Sequence, residues 1–346
     1  MPEPQPSETL PSGKLPQHLL TRLLQKHTQS TDPRLLVGPG FGEDAAVIDF
    51  GDTCLVAKTD PITFATDQLG WYAVHVNAND IAAMGATPKW FLSTVIAPQH
   101  MATPALFDQI LGQIQQACAD LNITVAGGHT EITTGIDRPL VVGQMLGEVR
   151  ADRVIRSSGL QAGDALLLTK GLAIEATSII ARDMADHLRS DGWAEADLAE
   201  AADYLTQPGI SVVADARIAL AAGDVHALHD PTEGGVATAL VEMATASQVD
   251  VDIKSPLPVS PLTVRLCNDV GIDPIGAISS GALLIGCPAD SVAAIVSALA
   301  DARIAAARIG TAKESVGDIP RIRLQHGEGW QPLPQFDVDE VARLFT

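Results

Sequence analysis

Two short apolar runs, Ala45 to Phe50 and Thr53 to Thr59, stand on either side of Gly51-Asp52. Runs of this kind joined by a two-residue, glycine-containing turn read as a β-hairpin. A hairpin brings its two ends together, so Asp44, which opens the first strand, is expected near Asp60, which closes the second. Gly40 and Gly42 precede it and permit positive φ or the close approach of a ligand. Neighbouring carboxylates repel, and both usually stay ionised only where a cation joins them. Hard oxygen donors suit Mg²⁺, which takes one or two carboxylates plus substrate phosphates. A solvated hairpin with polar ends explains the same residues, and at this point both readings stand.

Beyond the hairpin the chain alternates strand-like and helix-like segments, the pattern of an α/β protein. Its 346 residues favour two domains. The expected division is an arm with a short helix over 1–36, a first domain over 37–155, a second over 156–320 and a tail over 321–346. Residues 1–12, rich in Pro, Glu and Ser, read as disordered. Lys14 is either a phosphate-reaching lysine on a mobile arm or a solvated one. A helix is expected from Gln68 to Met84, with Asp80 on a stretch that looks buried and so needs a partner. Lys89 to Ile96 reads as a strand and Pro104 to Asp120 as a helix with proline at its start. Ile123 to Ala126 reads as a short strand running into a turn, Gly127-Gly128-His129-Thr130-Glu131, suited to phosphate and metal contacts.

In the second half, strands are expected at Asp164–Thr169, Val225–Leu228, Val249–Ile253, Ile278–Cys287 and Ala306–Gly310. Helices are expected at Leu172–Met184, Ile210–Ala222, Val236–Ala246, Pro261–Val270 and Ser291–Asp301, with an acidic helical excursion over Asp186–Asp203 and an amphipathic closing helix over Gln331–Thr346. Between a strand and a helix lies His229-Asp230-Pro231-Thr232-Glu233-Gly234-Gly235. Paired glycines at a helix start make an anion site, because free backbone N–H groups point outward there. Asp230 or Thr232 can also cap that helix, and the two roles are compatible.

A formal charge of −20 argues against a nucleic-acid backbone as partner. It does not argue against a nucleotide, since a bound metal changes the local sign. The four cysteines are far apart and form no Cys-x-x-Cys pair, so no zinc site or redox dithiol is signalled. No apolar run reaches membrane-spanning length, and the start Met-Pro-Glu-Pro lacks secretory character, so a cytoplasmic protein is expected.

Four segments in this order, Gly40 to Val47, Lys58-Thr59-Asp60, Asn79 to Ala86 and Gly127 to Thr130, resemble the superfamily of aminoimidazole ribonucleotide synthetase. Its other members include selenophosphate synthetase, thiamine monophosphate kinase and the hydrogenase-maturation protein that dehydrates a thiocarbamate. His229 to Gly235 is most similar to that last branch. The resemblance covers about Gly13 to Ile309 and implies the two-domain α/β (α+β), PurM-like fold. It further implies a homodimer built by the sheets of the N-terminal domains, and ATP with Mg²⁺ in a cleft that the dimer helps form. By position, Asp44, Asp60 and Asp80 look like metal and phosphate ligands, Asp60 and Asp80 also being the catalytic candidates and Glu131 a further metal candidate. Lys14, Gly42, Lys58, Thr59, Asn79, Gly127, Gly128, His129, Thr130, Asp230, Thr232, Gly234 and Gly235 would line the nucleotide.

The chain also departs from its relatives. His129 stands where thiamine monophosphate kinase usually has Asp, and Glu131 is the available substitute. Ser12-Gly13-Lys14 lacks the reactive Cys of selenophosphate synthetase, and Arg-Leu-Phe-Thr lacks the terminal Cys of the maturation protein. Carbamoyl dehydration as that branch performs it is therefore not expected. The expected activity is Mg²⁺-dependent use of ATP to phosphorylate or activate a small substrate. One alternative is a kinase for a phosphorylated vitamin-like alcohol, with Arg150, Arg153 and Arg156 available for the second phosphate. Another is a non-catalytic, nucleotide-responsive partner in an enzyme-maturation pathway.

Overall fold

The computed structural model describes residue 10 and residues 14–28, 31–40, 42–63, 65 and 67–345. The disorder expected over 1–12 lies, Leu10 apart, outside the described residues. Helix α1 (Gln17–His27) precedes β1 (Leu35–Val37), β2 (Ala46–Asp49) and β3 (Thr53–Ile62). Next come α2 (Leu69–Ala83), β4 (Thr87–Pro98), α3 (Pro104–Asp120), β5 (Thr124–Thr133) and β6 (Leu140–Arg150). The second half holds β7 (Ala165–Thr169), α4 (Ile174–Asp183), α5 (Ala185–Ser190), α6 (Glu195–Ala202), α7 (Val213–Ala222), β8 (Ala227–His229) and α8 (Gly235–Ser247). It closes with β9 (Val249–Ile253), α9 (Pro261–Val270), β10 (Leu284–Cys287), α10 (Val292–Asp301), β11 (Ala306–Glu314), β12 (Ile322–His326) and β13 (Gly329–Pro332).

These elements make a mixed α/β protein with two sheet-containing domains. The first sheet has the order β1-β2-β3-β6-β4-β5 and is antiparallel except between β4 and β5. The hairpin forms as its sequence requires, with Ala46 opposite Ala57 and Asp49 opposite Cys54. Asp49 accepts from the Gly51 N–H at 2.7 Å, and Gly51 takes φ +94°, which closes the turn. Helix α2 is buried along almost its whole length, because it lies between the first sheet and α7 and β8 of the second half. A helix apolar on every side is the sequence trace of such a position.

The second sheet has the order β13-β12-β9-β11-β7-β10-β8 and is antiparallel except between β12 and β9. Its interior strand β7, Ala-Leu-Leu-Leu-Thr, is buried at every residue. Among the described residues, no helix is long and apolar enough to cross a membrane.

Three expectations are corrected. Strand β5 runs through Gly127 and Gly128 without turning and pairs with β4 as far as Thr133. Gly128 serves close approach instead, since a Cβ there would stand 2.2 Å from the Ser93 carbonyl oxygen. The segment after Gln331 is not a helix but a strand end and an irregular tail with one 3₁₀ turn at Ala342–Leu344. Pro332 and Pro334 remove the N–H groups that a helix needs there. The tail is instead fixed by Glu340, which accepts from the Asp273 N–H at 2.9 Å. The strand expected from Ile278 shortens to Leu284–Cys287, because Ser279 turns back to accept from the Ala173 N–H and Gly281 takes φ +106°.

Candidate functional site

Where the two halves meet, Asp44 from the start of β2, Asp80 from α2 and Asp230 from the end of β8 converge. One carboxylate oxygen from each lies within 4.8 Å of the others. All three side chains are buried, and Asp230 Oδ1, Asp230 Oδ2 and Asp80 Oδ2 have no hydrogen-bond partner. Burial pushes the Asp230 carboxyl up to about 8, with Asp44 adding to the effect and His229 and Lys58 opposing it. Burial likewise holds Asp80 well above the usual carboxylate range, although Lys58 beside it pulls the other way. Unpartnered buried carboxylates are costly and collect where a cation can join them. A set of hard oxygen donors fits Mg²⁺.

Positive charge reaches this group from two sides. Lys58 Nζ lies 3.0 Å from Asp80 and 3.3 Å from Asp60. Burial alone would lower the ammonium's pKa, but Asp80 and Asp60 outweigh it and raise it. Asp60 itself stands outside the triad. Its backbone is fixed to α2, because its N–H donates to Asn77 Oδ1 at 2.9 Å and its carbonyl accepts from Asn77 Nδ2 at 3.3 Å. On the far side His229 lies 3.0 Å from Asp44, with its other nitrogen 3.0 Å from Glu242. Burial alone would lower the imidazole's pKa, but Asp44 and Glu242 hold it well above the ordinary histidine range.

Two family models match this chain, the N-terminal domain of AIR synthase related protein over residues 42–149 and its C-terminal domain over residues 161–322. The chain belongs to the AIR synthase related family. A putative hydrogenase expression/formation protein of Methanocaldococcus jannaschii is 25% identical over 79% of this chain and 79% of its own length. A selenide, water dikinase of Dechloromonas aromatica is 30% identical over 72% of this chain and 69% of its own length. The hydrogenase maturation protein HypE, solved in complex with ATP, superposes with a TM-score of 0.69 at 22% identity, covering 95% of this chain and 97% of that one. AaThiL, complexed with AMPPCP and TMP, superposes with a TM-score of 0.71 at 19% identity, covering 95% of this chain and 100% of that one. These structures share the fold, and the family accounts for the order of the motifs along the chain.

The other residues that the family resemblance singles out fall into three groups. Some stand at the rim of the triad. Lys14 Nζ donates to Thr232 Oγ1 at 2.9 Å and lies 3.5 Å from Glu233, so it is paired with the loop beside Asp230 although half-exposed. Gly42, at φ +77°, packs against the Glu242 carbonyl.

Others are engaged by the fold. Thr59 donates to the Gly143 carbonyl at 2.8 Å. Asn79 donates to the Ile210 carbonyl and accepts from the Val212 N–H, each at 2.8 Å, and so ties α2 to the second half. Neither Asp230 nor Thr232 caps α8, whose N-cap is Gly234 at φ +80°. The Gly234 N–H donates to Asp339 at 2.7 Å, so a carboxylate of the chain itself takes the outward-facing donor expected there, and Gly235 packs against the Ile275 and Ala277 carbonyls.

The third group lies apart. Gly127, Gly128, His129, Thr130 and Glu131 are all exposed on the edge strand β5. Glu131 pairs in register with Ile96, and Ile96 with Leu140, on the sheet face opposite the one where Lys58 and Asp60 meet α2. Two strands separate β5 from β3, about 14 Å at the usual strand spacing. Arg150 is paired with Asp152 at the surface, and Arg156 donates to the Leu36 carbonyl.

Sequence reasoning missed Ser157, His229 and Glu242 as site residues. The available signal was Glu242 itself, a lone acid on the apolar stretch Gly-Val-Ala-Thr-Ala-Leu-Val-Glu-Met-Ala.

Proposed function

We propose that the protein is a Mg²⁺-dependent enzyme that uses ATP to phosphorylate or activate an oxygen of a small substrate, in the manner of the hydrogenase-maturation branch of its family. The observation that carries this reading is the buried triad, in which one carboxylate oxygen of each acid lies within 4.8 Å of the others and Asp80 and Asp230 keep oxygens without a hydrogen-bond partner. Asp44, Asp80 and Asp230 would hold the ion, and Asp60 with Lys58 would stand on the phosphate side. Mg²⁺, when bound, neutralises charge on a transferring phosphoryl group. The chain's own task is then to place the nucleotide and the acceptor and to exclude water. That HypE was solved with ATP and AaThiL with AMPPCP and TMP supports a nucleotide at this place.

The reading includes a cytoplasmic homodimer joined through the open face of the first sheet, where Leu140, Val142 and Leu146 are only half-buried. Because His129 and Glu131 point away from their own triad, strand β5 would serve the nucleotide held by a second copy. The test is ADP release by the purified protein with Mg²⁺ and candidate acceptors bearing amide or hydroxyl oxygens, with Asp80→Asn as background. Release above that background supports the enzyme. Nucleotide binding with release at background favours a nucleotide-responsive partner protein, a role in keeping with the HypE–HypF complex of a structural neighbour with a TM-score of 0.72 and 18% identity.

A further inference from the structure

The cation reading leaves one set of contacts at the seam unexplained. His229 Nδ1 lies 3.0 Å from Asp44 Oδ1 and 3.2 Å from Oδ2, while Nε2 lies 3.0 Å from Glu242 Oε2. Ionised carboxylates only accept hydrogen bonds, so the ring donates at both ends and its orientation is fixed from both. Ser157 Oγ completes the cage, 2.9 Å from Asp44 Oδ2, 3.0 Å from the Leu228 carbonyl and 3.0 Å from His229 Nδ1. Ser157 and His229 are buried, and only 16% of the Glu242 side chain is exposed.

The origins of these groups matter. Asp44 belongs to the first sheet's hairpin, whereas Ser157, His229 and Glu242 belong to the second half of the chain. His229 is also the chain neighbour of Asp230, so the loop that delivers one triad carboxylate delivers the group that grips another. Glu242 sits on a helix whose neighbouring residues are apolar, a costly place for an acid unless it has a partner.

We propose that Glu242 and His229 are a positioning pair: Glu242 fixes the imidazole, and the imidazole fixes the Asp44 carboxylate so that its free lone pairs face Asp80 and Asp230. This inference rests on the Mg²⁺ reading above and extends it from the ligands to the groups that aim them. Outer hydrogen bonds to ligating side chains commonly govern metal affinity by about 10–100-fold. A simpler role, in which His229 only offsets negative charge, predicts the opposite sign. Removing a bare counter-charge leaves the triad more negative and strengthens cation binding.

Mn²⁺ titration of the full chain without nucleotide, followed by the electron paramagnetic resonance signal of the free ion, separates the two. Positioning predicts that His229→Ala and Glu242→Ala each weaken Mn²⁺ binding by about 10–100-fold. It also predicts that Glu242→Gln, whose amide oxygen still accepts from Nε2, stays within about threefold of the parent, as expected where a hydrogen bond rather than a charge carries the effect. The double variant His229→Ala/Glu242→Ala should bind within about twofold of His229→Ala alone, because Glu242 acts only through the ring. Should His229→Ala not fold, His229→Asn provides the same comparison, and the Glu242 variants stand independently.

Tighter binding by His229→Ala, unchanged binding by Glu242→Ala, or multiplying losses in the double variant would each overturn the proposal while leaving the Mg²⁺ reading intact. A parent protein that binds no Mn²⁺ overturns both.

Discussion

The seam around Asp44, Asp80 and Asp230 and the edge strand β5 draw on similar residues, with glycines beside acids and hydroxyls. Their physical situations are opposite. At the seam the acids are buried, their partners come from both halves of the chain, and several oxygens lack a hydrogen bond. Along β5, residues 124–132 are all exposed, and the strand pairs on one side only. The contrast shows how much of a site's meaning lies in burial rather than composition. A carboxylate in water needs no explanation, whereas one buried without a partner calls for a cation or a proton. Variants that separate the two regions sharpen this contrast or break it.

The largest expected effect comes from a buried acid on the second half's side of the seam. Burial pushes the Glu175 carboxyl up to about 8. The folded pKa lies above the unfolded one, so the stabilisation is fully present below about pH 4 and is lost as pH rises through 8. By linkage the cation-free protein should lose on the order of 5 kcal/mol over that span. Thermal melts in chelator should show Glu175→Gln flattening this slope, and an unchanged slope refutes the assignment. Asn79→Ala comes next. It leaves the Ile210 carbonyl and the Val212 N–H unpaired in the interior, and urea unfolding should show a loss of about 2–4 kcal/mol.

Asp80→Asn should weaken Mg²⁺-dependent nucleotide binding by about 2–3 kcal/mol, roughly 30–150-fold. Asp60→Asn should cost less, because Asp60 stands outside the triad and is paired with Lys58. The reverse order in calorimetry would move the centre of the site to the hairpin's end. The smallest effect on stability is expected at the edge strand. Glu131 is exposed on β5 and lies on the open face, so Glu131→Arg should change monomer stability by no more than about 0.5 kcal/mol. The same variant should shift light scattering from dimer to monomer, and a dimer that survives it places the interface elsewhere.

The features legible in the sequence are those set by neighbours along the chain. The Gly51 hairpin, α3 with Pro104 at its start, β9 and α9 all follow from local pattern, as does the burial of Asp80 on α2. What stayed hidden depends on contacts between distant residues. Asp44 meets His229 across 185 positions, and no periodicity records that meeting. Asp339 comes from 105 positions away to take the Gly234 N–H, so the helix start that promised an anion site is filled from within. Gly127-Gly128 offered the local chemistry of a turn, and only the closeness of Ser93 shows why the strand needs glycine at the second of them, Gly128. Asp230 reads as a ligand that can also cap the helix until the structure leaves both its oxygens without a partner.

The central claim is that the buried triad is a nucleotide-linked Mg²⁺ site. Calorimetric titration of the purified protein with a non-hydrolysable ATP analogue, in Mg²⁺ and then in chelator, tests it most directly. The account predicts binding that requires Mg²⁺ and is lost in Asp230→Asn. Equal affinity in Mg²⁺ and in chelator would contradict it.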